Sequence, residues 1–177
     1  MKFPIALCAT LSVLAAPAFA HVTANPNEGM AGAYFQTSFR ISHGCEGSDT
    51  TKITIQVPPG FVTMRPQEKP GWTVEVKKRK LEKPVPAGHG KMADEEIAEI
   101  SWSGNKLPDA QYDDFGILTK LPQTAGRTIY FPIIQTCVKG ENKWIDIPAS
   151  DQKWHDVKSP APFIRIKSDK AAPSHAH

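Results

Sequence analysis

Apolar residues recur at every second position along much of this chain, and helical spacing is nearly absent. Phe35, Thr37, Phe39 and Ile41 alternate with Gln36, Ser38 and Arg40. Ile53, Ile55 and Val57 alternate with Thr54 and Gln56 until Pro58-Pro59-Gly60 halts the run. Trp72, Val74 and Val76 follow the same rule, as do Ala98, Ile100 and Trp102 before Gly104, and Phe115, Ile117 and Thr119 after a polar loop. Residues 127–136 carry Ile129, Phe131 and Ile133 on one parity and Tyr130 and Ile134 on the other, which predicts a central strand covered on both faces. Pro132 cannot donate to a ladder and argues instead for an edge or a bulge, so the pattern leaves that segment open. Trp144–Ile147 and Phe163–Ile166 supply two more strands. About eight short strands divided by Pro and Gly turns predict an all-β fold, an immunoglobulin- or cupredoxin-like β-sandwich.

One stretch interrupts the rhythm. Lys77-Lys78-Arg79-Lys80 precedes a Pro84–Gly90 loop, and Asp94-Glu95-Glu96 follows it. This predicts a solvated hairpin with opposite charges across it, whose surface pairs contribute little.

The first 20 residues stand apart from the fold. Lys2, an apolar stretch from Ile5 to Ala16 and Ala18-Phe19-Ala20 read as a secretory signal cut after Ala20. Removing residues 1–20 of 177 leaves 157, beginning at His21, a size suited to one core and one domain over residues 21–167. Residues 168–177 form a polar tail with nothing to pack. Formal charge falls from +3 to +2 as Lys2 leaves, too little for a dedicated nucleic-acid binder. No other apolar run approaches the ~20 residues of a membrane span, so the mature chain is expected to be soluble and periplasmic or secreted. Cys8 departs with the signal. Cys45 and Cys137 remain, and in an exported protein two cysteines predict one disulfide.

The cut also has a chemical consequence. It turns His21 into a terminal residue with a free α-amine next to its imidazole Nδ1, and these two nitrogens can close one chelate ring on a metal ion. Reference pKa values of about 7.7–8.0 and 6.5 let a metal displace both protons near neutral pH. Two adjacent nitrogens suit Cu(II), with its tetragonal N,O preference and high place in the affinity order. Met30, Met64 and Met92 are scattered, so the soft thioether set that selects Cu(I) is missing, as is the C-x-x-C spacing of structural zinc.

An ordered set of short motifs runs through the chain. His21-Val22-Thr23 with Pro26 is followed by His43-Gly44-Cys45-Glu46 and Thr50-Thr51-Lys52. Pro70-Gly71-Trp72, Trp102-Ser103-Gly104 and Tyr112-Asp113-Asp114-Phe115 come next. Phe131-Pro132, Gln135-Thr136-Cys137, Trp144 and Pro160-Ala161-Pro162 complete the set. Over residues 21–167 the chain resembles the YcnI-like copper-binding domain family, secreted β-sandwiches with a monohistidine brace. The resemblance implies Cu(II) held by the amine and imidazole of His21 and the carboxylate of Glu46, with Trp144 lining the site. Trp154, ten residues on, is the competing tryptophan. The Cys45–Cys137 bond would bring the segments of Glu46 and Trp144 together.

The expected function is a periplasmic copper carrier or buffer, not an enzyme, that hands copper to a membrane transporter or a cuproenzyme. The sequence has no G-x-S-x-G elbow and no catalytic Cys beside a His. Two other readings remain at this level: an adhesion or assembly module without metal, and a copper-dependent oxidase using His43 or His155 as a second imidazole. His175 and His177 add possible weak donors in the tail.

Overall fold

A computed structural model describes residues 21–88 and 90–168. Residues 1–20, on which the expected signal falls, His89 and residues 169–177, with His175 and His177, lie outside the described residues. The chain forms β1 (Thr23–Asn25), β2 (Glu28–Met30), β3 (Tyr34–Ile41), β4 (Thr50–Gln56), β5 (Met64–Pro66) and β6 (Thr73–Gly88). Then come β7 (Lys91–Leu107), β8 (Asp113–Lys120), β9 (Thr128–Tyr130), β10 (Ile133–Cys137), β11 (Glu141–Trp144) and β12 (Phe163–Lys167). The sole helical element among the described residues is one 3-10 turn at Trp154–Asp156.

Three sheets share one core. Their strand orders are β1-β3-β8-β5, β11-β10-β4-β7-β6 and β2-β12-β9. Phe39 and Ile41 of β3 and Phe115 and Ile117 of β8 meet Ile53 and Ile55 of β4, Ile100 and Trp102 of β7, and Ile164 and Ile166 of β12. Burial follows the alternation in β3, where Thr37, Phe39 and Ile41 are inside. The β-branched and aromatic residues at these positions suit a pleated, half-buried surface.

Each of the eight expected strands has a counterpart, the Trp144–Ile147 one only through its first residue, and the total is twelve for two reasons. β1, β2 and β5 are only three residues long, too short to display an alternation. The 127–136 segment divides at Phe131-Pro132, with β9 pairing β12 in the small sheet and β10 lying between β4 and β11 in the five-stranded one. Pro132 lacks an N–H, and the chain changes sheet there. Its carbonyl still accepts from Gln56 N–H at 2.8 Å, while Phe131 N–H donates to the Pro162 carbonyl at 2.8 Å. The expected Trp144–Ile147 strand is shifted: β11 ends at Trp144, and Asp146 instead bridges to Pro160.

The charged excursion is a continuation of β6 and β7 into a long hairpin. Lys77 meets Glu99 at 2.8 Å, Lys78 meets Glu95 at 3.4 Å and Arg79 meets Glu96 at 2.7 Å. The last pair is more than a surface contact. Glu96 is 5% exposed, and its carboxylate also accepts Gly60 N–H at 2.7 Å. The hairpin is thereby tied to the loop after β4.

Candidate metal centre

His21 precedes β1, and Val22 beside it is buried in the core, so the start of the described chain is anchored. Two tryptophans flank the His21 ring. Trp154 stands edge-on at 5.3 Å between ring centroids with an interplanar angle of 89°, and Trp144 does so at 6.0 Å and 70°. Both tryptophans that competed for one role in the sequence therefore border the histidine. Burial against these rings, and then the nearby His155, holds the His21 imidazole pKa below its ordinary value. A lowered pKa keeps the ring neutral, with a lone pair for a metal, to lower pH than in a free imidazole.

Each tryptophan is fixed by its N–H, which is a donor only. Trp144, the last residue of β11, pairs with Ile133 of β10 and is 8% exposed. Its Nε1–H donates to Gln135 Oε1 at 3.0 Å. Trp154 Nε1–H donates to the Ala161 carbonyl at 2.7 Å, and its ring rests against Phe163 at 5.9 Å. A strap from Ile145 to Ala161 delivers Trp154. Asp146 closes its base by accepting Ser159 N–H at its carboxylate (2.9 Å) and Ala161 N–H at its carbonyl (2.9 Å).

The His43 ring also stands edge-on to Trp144, 6.2 Å away at 74°. Its Nδ1–H donates to the Gly44 carbonyl at 2.6 Å, which assigns the neutral ring's lone pair to Nε2. The loop that carries it is pinned on several sides. Gly44 N–H donates to Asp109 Oδ1 at 3.1 Å, and Asn142 Nδ2 donates to the Gly44 carbonyl at 3.3 Å. A Cβ on Gly44 would overlap the Ser48 carbonyl oxygen, so no larger residue fits. The Cys45–Cys137 disulfide forms as expected, with a Cα–Cα separation of 6.0 Å.

Glu46 sits three residues from His43 at the tip of a tight turn. Cys45 and Ser48 exchange two backbone hydrogen bonds of 2.9 Å, and Glu46 (φ 49°) and Gly47 (φ 85°) occupy the two central positions. Positive φ at both marks a type I′ turn, where Asn-Gly is the favoured pair and a glutamate is strained. The cavity that Glu46 lines is walled by Ser48, Asp49, Lys106 and Lys139 and does not include His21. Among the described residues, no three His, Cys, Asp or Glu side chains gather into a ready metal cage. The structure thus brings together His21, Trp144, Trp154 and His43, and leaves Glu46 on the adjoining turn.

Sequence reasoning missed the part played by Gln135. Its signal is visible in hindsight: it shares parity with Ile133 and Cys137 on β10, all three buried, so it is a polar residue facing a core. Trp154 had no such signal, because its place depends on the strap.

The comparisons agree with this architecture. The family profile that matches is described as a domain of unknown function (DUF1775) and spans residues 21–166. The chain belongs to this family. It is the YcnI-like domain family, and its match to this chain begins at His21 itself. No curated protein matches the chain significantly. A crystal structure of an uncharacterized protein from Nocardia farcinica with an immunoglobulin-like fold superposes with a TM-score of 0.61 at 23% identity. It covers 83% of this chain and 98% of that one, a likeness that establishes the fold of this DUF1775 domain.

Proposed function

We propose that this DUF1775 domain is an exported Cu(II) carrier that captures its cargo at His21 after cleavage behind Ala20. The carrying observation is the tryptophan-bordered His21 ring, held neutral by its surroundings at the first residue of the family match. The α-amine freed by the cut and Nδ1 of His21 supply two nitrogens, and Glu46 supplies oxygen donors that offset part of the ion's charge. Trp144 and Trp154 wall the site. Their N–H groups are already engaged, so they shield and orient the His21 ring without coordinating. Copper is cargo here, and the site captures and releases it without turnover. The domain works in the periplasm or outside the cell, and a membrane copper transporter or a cuproenzyme is the receiver. Among the described residues no helix is long and apolar enough to cross a membrane.

Two variants of the processed protein test the ligand set. His21→Ala is expected to abolish stoichiometric Cu(II) binding in a competition titration, whereas retained tight binding would remove His21 from the site. Glu46→Asn is expected to act in opposite directions on binding and stability. It removes the carboxylate and weakens Cu(II) binding, yet it relieves the left-handed strain by about 1 kcal/mol. For a domain of this size that is a rise of roughly 2–4 °C in Tm. Unchanged copper affinity in a folded Glu46→Asn protein would show that Glu46 is not a ligand.

A further inference from the structure

Gln135 is wholly buried, and its side-chain amide joins three segments, one of which carries the Trp144 ring that borders His21. Oε1 accepts Trp144 Nε1–H at 3.0 Å and Asn142 Nδ2 at 3.4 Å. Nε2 donates to the His43 carbonyl at 2.6 Å and to Thr50 Oγ1 at 2.7 Å. The orientation of the amide is dictated by its partners. An indole N–H can only donate and a backbone carbonyl can only accept, so oxygen must face Trp144 and nitrogen must face His43. No buried side-chain polar atom among the described residues is left unsatisfied, so this network is complete. A complete buried network specifies one arrangement strongly, since displacing any member leaves a buried group unpaired.

Asn142 also ties β11 to this loop at the Gly44 carbonyl (3.3 Å), but the Gln135 amide is what engages the Trp144 indole N–H and the His43 carbonyl together. The Cys45–Cys137 link anchors the middle of the loop, two residues from His43, but does not itself bond the indole. An apolar residue at position 135 would satisfy the core pattern of β10 equally well. The glutamine is therefore there for its bonds.

We propose that Gln135 is a positioning residue of the copper site: its amide locks the Trp144 indole to the His43 loop and so fixes the wall against which His21 packs. The copper part of this statement rests on the function proposed above. The positioning part does not, because it concerns the metal-free arrangement of Trp144, His43 and His21.

The test uses the processed chain, with Gln135→Met as an unbranched residue of similar length, Trp144→Phe, and the double variant. In metal-free protein, Gln135→Met is expected to move the ring NMR signals of both His21 and His43. It is also expected to weaken Cu(II) binding by about tenfold, the lower end of what losing an outer partner costs a metal site. In the Trp144→Phe background, where the indole N–H is already gone, the same change should cost less than about twofold, because coupled residues are not additive. Unmoved histidine signals, or an equal loss in both backgrounds, would overturn the proposal. Should the processed wild-type protein bind no Cu(II), the copper reading fails by itself, and the histidine signals still decide the positioning role. Should Gln135→Met not fold, Trp144→Phe alone decides, since an unaltered copper affinity there would show that the anchored indole has no part in the site.

Discussion

Replacing Cys45 and Cys137 together by alanine is expected to lower the unfolding free energy by roughly 2–5 kcal/mol. The bond spans a separation of 92 residues and ties the loop after β3 to the end of β10. In the unfolded chain it removes the entropy of closing a long loop, and in the folded chain both cysteines lie in the buried interior. Copper affinity is expected to respond far less, by under about tenfold, because other contacts locate the same loop in the folded state. Gly44 is held from both sides by Asp109 and Asn142, and the His43 carbonyl by Gln135. Chemical denaturation of the double variant beside the oxidised wild type gives the first number, and a Cu(II) competition titration gives the second. A copper affinity that collapses while stability barely changes would contradict this division of labour.

Blocking the α-amine of His21 is expected to have the largest functional effect. In the site proposed above, the amine and Nδ1 of the processed protein would close a six-membered ring with the ion. Acetylation makes that nitrogen a planar amide whose lone pair is shared with the carbonyl, and it ceases to be a basic donor. The imidazole, both tryptophans and Glu46 are untouched, so any loss belongs to the amine. Losing one of two chelating nitrogens is expected to weaken binding by about 100-fold or more, which corresponds to roughly 3 kcal/mol or more. Folding is expected to be unaffected. A competition titration of the acetylated and unmodified proteins measures the difference.

Much of this architecture was legible in the chain because its strands face a core on one side. Phe39, Ile41, Ile53, Ile55, Phe115 and Ile117 announce their faces by alternation, and all are buried. The disulfide followed from an even pair of cysteines in a chain whose sequence reads as exported. What escaped the pattern did so for physical reasons. Three-residue strands carry too few positions to show a period. At Pro132 two demands met in one segment, apolar faces on both sides and a missing N–H, and the chain met both by changing sheets.

The site was legible only in part, because it is assembled from segments far apart in the chain. His21 and Trp144 could be named from the motifs, and their rings do meet. Trp154 approaches His21 through a strap whose course is fixed by Asp146, and strap geometry leaves no trace in hydrophobic period. Gln135 was present in the motif set without a role. Its role depends on partners at His43, Thr50 and Trp144 that only the folded sheet order brings together. Glu46 presents the opposite case. The resemblance named it as a ligand, and the structure sets it in a strained turn beside a cavity of its own.

The claim on which the account depends is that one residue, His21, gives copper two nitrogens. The most direct test is the EPR spectrum of one equivalent of Cu(II) on the processed protein, recorded with ordinary nitrogen and again with 15N introduced at His21 alone. The account predicts that the nitrogen splitting changes with the label, and that acetylating the α-amine removes one of the two labelled contributions. A spectrum indifferent to both the label and the acetyl group would contradict it.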